Sequence, residues 1–489
     1  FSFAIKGYLQ ITAPNGGVRT VGDPLTIQWN KNTGLSTVGL QFSKNGTFSD
    51  AENIPFGSPI SHSAGSTTGS YNWSTPDRIS GDARIKVYDW NDPTVSSISN
   101  PFRIRGNLTL AQPNGWEEWV VGDPKVISWT MVGSISQVNL YYSKDNFVTT
   151  KTIATSVNGV LLKYDWVVTD DITSTFNVKV RITDASYEIG TQDTSDNPFK
   201  IKGRIILNNP VGGEEWMVGT VQSITWTVTG SIPNVELRYS TDGGGTYPNV
   251  ISASVVSGAG TKVYNWTIPS ISSNSTVRVK VSDVNDPNTV YAESPNFKIR
   301  GNIVVTSPQN NDVMLVGTNF PITWTWVGII PTVNIYYSND AAHVVWNPII
   351  TSTANTGGFS WNVLDKISPT VKIKVVNSSD STVEGVSTGE ARIRGRFQIE
   401  YPNGGQILIS GTPMPITWTW AGTMDFVKLE YTKVGNFSDA LPPIAASTPN
   451  DGSYTWTIEP MISDQVKIRV SSTADPGAND ESDANFNVK

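Results

Sequence analysis

The sequence predicts an all-β chain of five tandem, seven-stranded β-sandwiches set end to end in an extended rod. Three observations carry that expectation. A tripeptide of Ile, then Lys or Arg, then Gly closes at Gly7, Gly106, Gly203, Gly301 and Gly395, a period of about 97 residues. Between those marks short apolar-polar alternations recur in one order, and no long stretch has a helical period. Charged residues are only 16% of the chain while Gly numbers 42 and Pro 29, a turn-rich mixture suited to short strands.

Each unit opens with a strand that runs into a turn, at Pro14-Asn15-Gly16-Gly17, Pro113-Asn114-Gly115, Pro210-Val211-Gly212-Gly213, Pro308-Gln309-Asn310-Asn311 and Pro402-Asn403-Gly404-Gly405. An Ile-x-Trp strand follows, ending at Trp29, Trp129, Trp226, Trp324 and Trp418; the two-residue spacing puts both side chains on one, inward, face. The third strand alternates as Val38-x-Leu40-x-Phe42 or Val235-x-Leu237-x-Tyr239. After a less regular middle strand, an aromatic-x-Trp strand carries a second inward indole at Trp73, Trp166, Trp266, Trp361 and Trp456. A strand with alternating basic residues comes next, such as Val279-Lys280-Val281, and reads as a solvated sheet face; a closing strand such as Phe297-Lys298-Ile299-Arg300 ends the unit. Trp326 and Trp420 continue the inward face of their strand.

Seven short strands per unit argue for a two-sheet sandwich of immunoglobulin or fibronectin-III type. Residues 1–6 match a closing strand with nothing before it to close, as expected of the tail of a preceding repeat in a chain excised from a longer array. The units are then 7–105, 106–202, 203–300, 301–394 and 395–489. One or two residues separate the last strand of a unit from the first of the next, too few for a flexible linker, so neighbouring units abut.

Composition excludes several function classes. With no cysteine, the chain has no disulfide, thiolate metal site or thiol nucleophile. Two histidines, His62 and His343, leave little for a multi-histidine centre. A net charge of -7 gives no basic footprint for nucleic acid, and no apolar run reaches the length of a membrane span.

The run Pro210 to Trp226, PVGGEEWMVGTVQSITW, with the recurring Val-Gly, Tyr-x-Trp and closing Phe-x-Ile-Arg, resembles the Ig-like domain of fungal Ser/Thr-rich, GPI-anchored cell-wall (yeast cell-wall-synthesis) proteins. Similar tandem repeats occur in long bacterial surface proteins. The fourth unit departs with Gln309-Asn310-Asn311 and the fifth with Ser410-Gly411. The resemblance implies a wall or surface setting and names no activity.

Candidate chemistry is confined to turns. Asp89, Asn91 and Asp92, and Asp283, Asn285 and Asp286, cluster hard oxygens before Pro93 and Pro287 and resemble a calcium-binding linker element, while also reading as ordinary Asx-Pro turns. Calcium is the one cofactor this leaves open. Ser240-Thr241-Asp242-Gly243-Gly244-Gly245-Thr246-Tyr247 resembles the Asp box of sialidase propellers, a capped hairpin, and the matching runs at Ser43 and Ser143 keep the turn and lose the acid. Trp90 and Trp116 are the indoles that no core position explains, so they are the candidates for stacking on sugar. Asn72 and Asn265 head sequons between inward aromatics, face solvent and are the best glycosylation acceptors.

No acid recurs across units outside a turn, and no nucleophile, base and orienting group come together, so the chain reads as non-enzymatic. The leading expectation is a structural segment of an extracellular or cell-surface stalk, fibre, sheath or adhesin shaft, whose partners are its neighbouring repeats. The alternatives are an array binding cell-wall polysaccharide or a host surface, and a filament subunit that donates its Phe1–Lys6 strand to another copy.

Overall fold

The computed structural model describes residues 7–54 and 59–489, so the strand expected over 1–6 lies outside the described residues. The chain is β throughout its described residues, built of mainly antiparallel sandwiches of immunoglobulin and fibronectin-III type, with five hydrophobic cores among those residues.

The third core shows how residues become layers. Arg204–Asn209, Val221–Thr229 and Gly260–Thr267 form a three-stranded antiparallel sheet in which Ile224 pairs with Tyr264. The chain then leaves that sheet at Pro210, where Glu214 accepts from the backbone N–H groups of Val211 and Gly212 at 2.6 and 2.8 Å. The predicted turn is thus where the chain crosses between layers. Glu215–Met217 joins the second sheet by pairing in parallel with Phe297–Arg300. That sheet continues through Asn274–Asp283, Asn234–Ser240 and Asn249–Val256, with Tyr291–Glu293 alongside Asn274–Asp283. The count is nine strands where seven were expected. The two additions, Glu215–Met217 and Tyr291–Glu293, are three residues long and too short to show alternation.

Alternation places the core as predicted. Ile224 and Trp226 are fully buried, and Trp266 lies against Trp216 and Tyr239 at ring separations of 6.1 and 5.2 Å. The same arrangement recurs at Trp119 and Trp166, 5.9 Å apart. Aromatic contact fills the centre that a disulfide would otherwise cross. Trp326 and Trp420 depart from expectation: they are 39% and 42% exposed. Each indole lies over a glycine that leads into the neighbouring strand of the same sheet, Gly357 or Gly452.

A buried serine before the closing strand, unremarked in the sequence, recurs at Ser99, Ser195, Ser294, Ser387 and Ser482. Its hydroxyl accepts the N–H of Ile85, Val180, Val279, Ile373 or Ile468 at 2.8 to 3.1 Å, satisfying a donor where the ladder breaks. Ser294→Ala is expected to destabilise the third sandwich by about 1–3 kcal/mol, the cost of an unpaired buried N–H, as measured by chemical denaturation.

The first sandwich carries a polar exception. Lys31 is buried and its Nζ donates to the carbonyls of Leu35 and Ser66 at 2.8 and 2.7 Å. Beside it His62 meets the edge of Trp29 at 5.5 Å. Burial, then the Lys31 charge, pushes the His62 pKa below its usual 6.5. The folded state therefore favours neutral imidazole, and the unfolded state takes up the proton first as pH falls. Stability of this sandwich is expected to be full above pH 6.5 and to decline below it, and His62→Phe should remove that part of the decline in pH-dependent melting curves.

Candidate functional site: the joints and the outer turns

One glycine separates the closing strand of each sandwich from the first strand of the next, at Gly106, Gly203, Gly301 and Gly395. All four are buried, and a Cβ there would come within 2.5 to 3.0 Å of the carbonyl oxygen of Val132, Thr229, Val327 or Ala421. The recurring tripeptide thus ends in glycine because backbone packs on backbone at the joint.

A second glycine faces back across each joint. Gly230 has a φ of 86°, and its open side approaches Ile172 and Val121 of the preceding sandwich; Gly422, with a φ of 102°, approaches Ile367 and Val316. The valine of the Val-Gly pattern is therefore a joint contact.

Two sets of polar clips flank this apolar seat. Asp77 accepts from the N–H and hydroxyl of Ser134 at 2.8 and 2.6 Å. Asp170 does the same for Ser231, at 3.0 and 2.5 Å, and Asp365 for Thr423, at 3.0 and 2.7 Å. At the joint between the third and fourth sandwiches the aspartate is missing and Ile329 stands in the hydroxyl position; its N–H donates to the Ile271 carbonyl at 3.2 Å instead. The second set joins a closing-strand cation to the last hairpin of the next sandwich. Lys298 meets Asp380 at 2.8 Å and Arg394 meets Asp475 at 2.8 Å. Lys200, almost wholly buried, pairs with Asp286 and donates to Thr289 at 3.0 Å. At the first joint Arg103 lies over the Tyr187 ring at 3.8 Å. Burial pushes the Asp380 carboxyl up, but hydrogen bonds from Lys298, Ser273 and Thr382 outweigh it and hold the group well below the usual carboxylate range.

The expected calcium ligands belong to these hairpins. Asp89 accepts from the Asn91 N–H at 3.0 Å, Asp92 from the Thr94 N–H and hydroxyl at 3.1 and 2.6 Å, and Asp283 from the Asn285 N–H at 2.9 Å. Asp286 holds Lys200 and Thr289. Among the described residues no group of three or more His, Asp and Glu side chains is gathered to hold a metal ion. Burial, partly offset by the Asn285 N–H, raises the Asp283 pKa.

The Asp-box hairpin is a self-capped turn, with Asp242 accepting from the Thr246 N–H and hydroxyl at 3.0 and 2.7 Å. The acid is not lost elsewhere, as the sequence reading had it. Asp145 and Asp340 stand in the register of Asp242, and Asp50 and Asp439, further along their loops, fill the place in the first and fifth sandwiches. Bonds from Ser143 and Thr149 hold Asp145 down to about 2.

Trp90 and Trp116 are not brought together. Trp90 is 38% exposed and stacks on Tyr88, with ring centres 6.2 Å apart; Trp116, 64% exposed in the turn after the first strand of its sandwich, meets Phe176 edge-on at 5.6 Å. Asn72 and Asn265 are exposed, their amide oxygens accepting from Thr26 at 2.9 Å and Ser223 at 3.0 Å.

The alternating basic strand is more than a solvated face. Arg181 lies over Phe147 at 3.8 Å, Lys280 over Tyr291 at 3.9 Å, Lys374 over Trp346 at 4.4 Å and Arg469 over Phe437 at 3.9 Å. Flat rings on the hairpin loops and neighbouring strands cover the cations and hold those segments to the sheet.

No protein-family profile matches the chain, and no curated protein matches it. Among solved structures it is similar to the N-terminal eight Ig domains of Down syndrome cell adhesion molecule, at 10% identity over 99% of this chain and 71% of that one, with a TM-score of 0.21. It is similar to immunoglobulin domains 1–5 of Sidekick-1 at 11% identity, over 99% of each chain, with a TM-score of 0.20. Fibronectin(III)-like modules of Clostridium thermocellum CbhA align over 39% of this chain and 92% of theirs at 17% identity, with a TM-score of 0.15.

Removing the carboxylate from the buried pair tests the second joint. Asp286→Asn leaves Lys200 charged and buried, and is expected to cost about 3–5 kcal/mol in the stability of the coupled second and third sandwiches, measured by denaturant titration. Chelator is expected to leave the melting temperature unchanged, because Lys200 already neutralises Asp286; a fall on chelation would instead assign calcium to these turns.

Proposed function

We propose that this chain is a structural segment of an extracellular tandem Ig-like array, a cell-surface stalk, fibre, sheath or adhesin shaft that holds what it carries at a distance. Its working parts are five units bounded at 7–105, 106–202, 203–300, 301–394 and 395–489, and their partners are one another. The observation that carries this reading is the joint: a single buried glycine, an apolar seat and side-chain clips leave each sandwich no slack against the next. Stability is then a sum over units and joints, which suits a cysteine-free chain outside the cell. The wall or surface setting rests on the resemblance of the repeats. A non-catalytic role fits the carboxylates, whose strongest contacts go to turns and joints.

Small-angle scattering tests the rod. Five units of roughly 30–40 Å each give a rod-like profile with a maximum dimension of roughly 150–200 Å. Combining Asp77→Ala, Asp170→Ala and Asp365→Ala should shorten the mean end-to-end distance while each sandwich stays folded. A compact particle would overturn the proposal.

A further inference from the structure

We propose that the outer face of the larger sheet in the fourth sandwich binds a neutral polysaccharide, with Tyr336 and Trp346 stacking on sugar rings while Lys374 and Glu384 hydrogen-bond sugar hydroxyls. Tyr336 and Lys374 are direct cross-strand neighbours on Thr332–Ser338 and Ser368–Asn377. Lys374 Nζ lies 4.4 Å from the Trp346 ring centre, 5.9 Å from that of Tyr336 and 3.6 Å from Glu384 Oε2. With Asn334 and Ser378 these side chains line an open groove of about 190 Å³. That is smaller than the ~300 Å³ at which drug-sized sites begin, and fits one ring of a polymer that runs on across the sheet.

The chemistry of the lining selects the ligand. Tyr336 and Trp346 are half-buried and Lys374 covers one face of the Trp346 ring, so the flat apolar surface offered to the C–H face of a pyranose is the part of each ring that lines the groove. Lys374 donates and Glu384 accepts, which matches a hydroxyl that does both. Because the two charges cancel, the groove favours an uncharged glycan over an acidic or basic one.

The arrangement recurs. In the third sandwich Lys280 lies between Tyr291 and Tyr247, at 3.9 and 5.5 Å. In the first, Lys86 lies 5.9 Å from Tyr88, on which Trp90 stacks. A groove of about 350 Å³ lies at the same register in the second sandwich, beside Tyr141 and Arg181, while the one of about 230 Å³ in the fifth, beside Glu430 and Arg469, has no aromatic ring in its lining. Repeated weak sites on one chain would add by multivalency. This reading does not depend on the spacer role, since scattering tests one and glycan retention the other.

The test is affinity electrophoresis of the full chain through gels containing hydroxyethyl cellulose, β-1,3-glucan, mannan or xylan, with polygalacturonate as an acidic control. At least one neutral polymer is expected to retard the protein. Trp346→Ala should weaken retardation about tenfold, Glu384→Gln should weaken it with the melting temperature unchanged, and Trp116→Ala should leave it intact. Passage through all four neutral gels without retardation would overturn the proposal. So would equal retardation of folded Trp346→Ala and Glu384→Gln, or binding confined to polygalacturonate and lost at high salt.

Discussion

Backbone packed against backbone at a single residue is the constraint on which the rest of the structure depends. At Gly301 a side chain would meet the Val327 carbonyl at 2.5 Å, so the chain passes from one sandwich to the next with no free length. That proximity places the last hairpin of the following sandwich within reach of the preceding closing strand, where Lys200, Lys298 and Arg394 find their carboxylates. The cations of the closing strand are thus joint residues. Each exposed clip contributes about 1 kcal/mol, and the apolar seat beneath supplies the remainder. The clips chiefly fix orientation.

The repeats document the coupling of the clips within one chain. Asp77, Asp170 and Asp365 stand two residues before an isoleucine, and Ser134, Ser231 and Thr423 directly follow the second joint glycine. The third sandwich lacks the acid, and the fourth, its partner, has Ile329 in place of the hydroxyl. Donor and acceptor are lost together. All six clip residues are exposed, so water serves a group that has lost its partner, and a missing clip forfeits only its own modest contribution.

The sandwich class was legible because its signals are local. Two-residue spacing of Ile224 and Trp226 and the closing Phe297-x-Ile299 report burial directly, and the structure buries them. What was not legible depends on where strands end and which strands meet. Trp326 has the spacing of an inward residue but stays partly exposed, lying over Gly357 of its own sheet. The three-residue strands gain their order from their partners, and the serine bridges of Ser294 and its counterparts span a break in the ladder. Asp286 read as a metal ligand because a cluster of oxygens looks the same whether a cation or Lys200 will meet it; the lysine stands 86 residues earlier and comes into contact only through the joint. The aromatics over the basic strand were equally hidden, since Trp346 and Lys374 are neighbours only across the sheet.

The central claim is that the joints hold one orientation, and the cysteine-free sequence permits a direct measurement. Val167→Cys and Thr267→Cys introduce two label sites on the exposed residues that follow Trp166 and Trp266, at equivalent places in consecutive sandwiches. Pulsed electron-spin resonance between attached spin labels should give a single narrow distance peak near the ~30–40 Å length of one unit. A broad distribution, of the kind a flexible linker gives, would contradict the account.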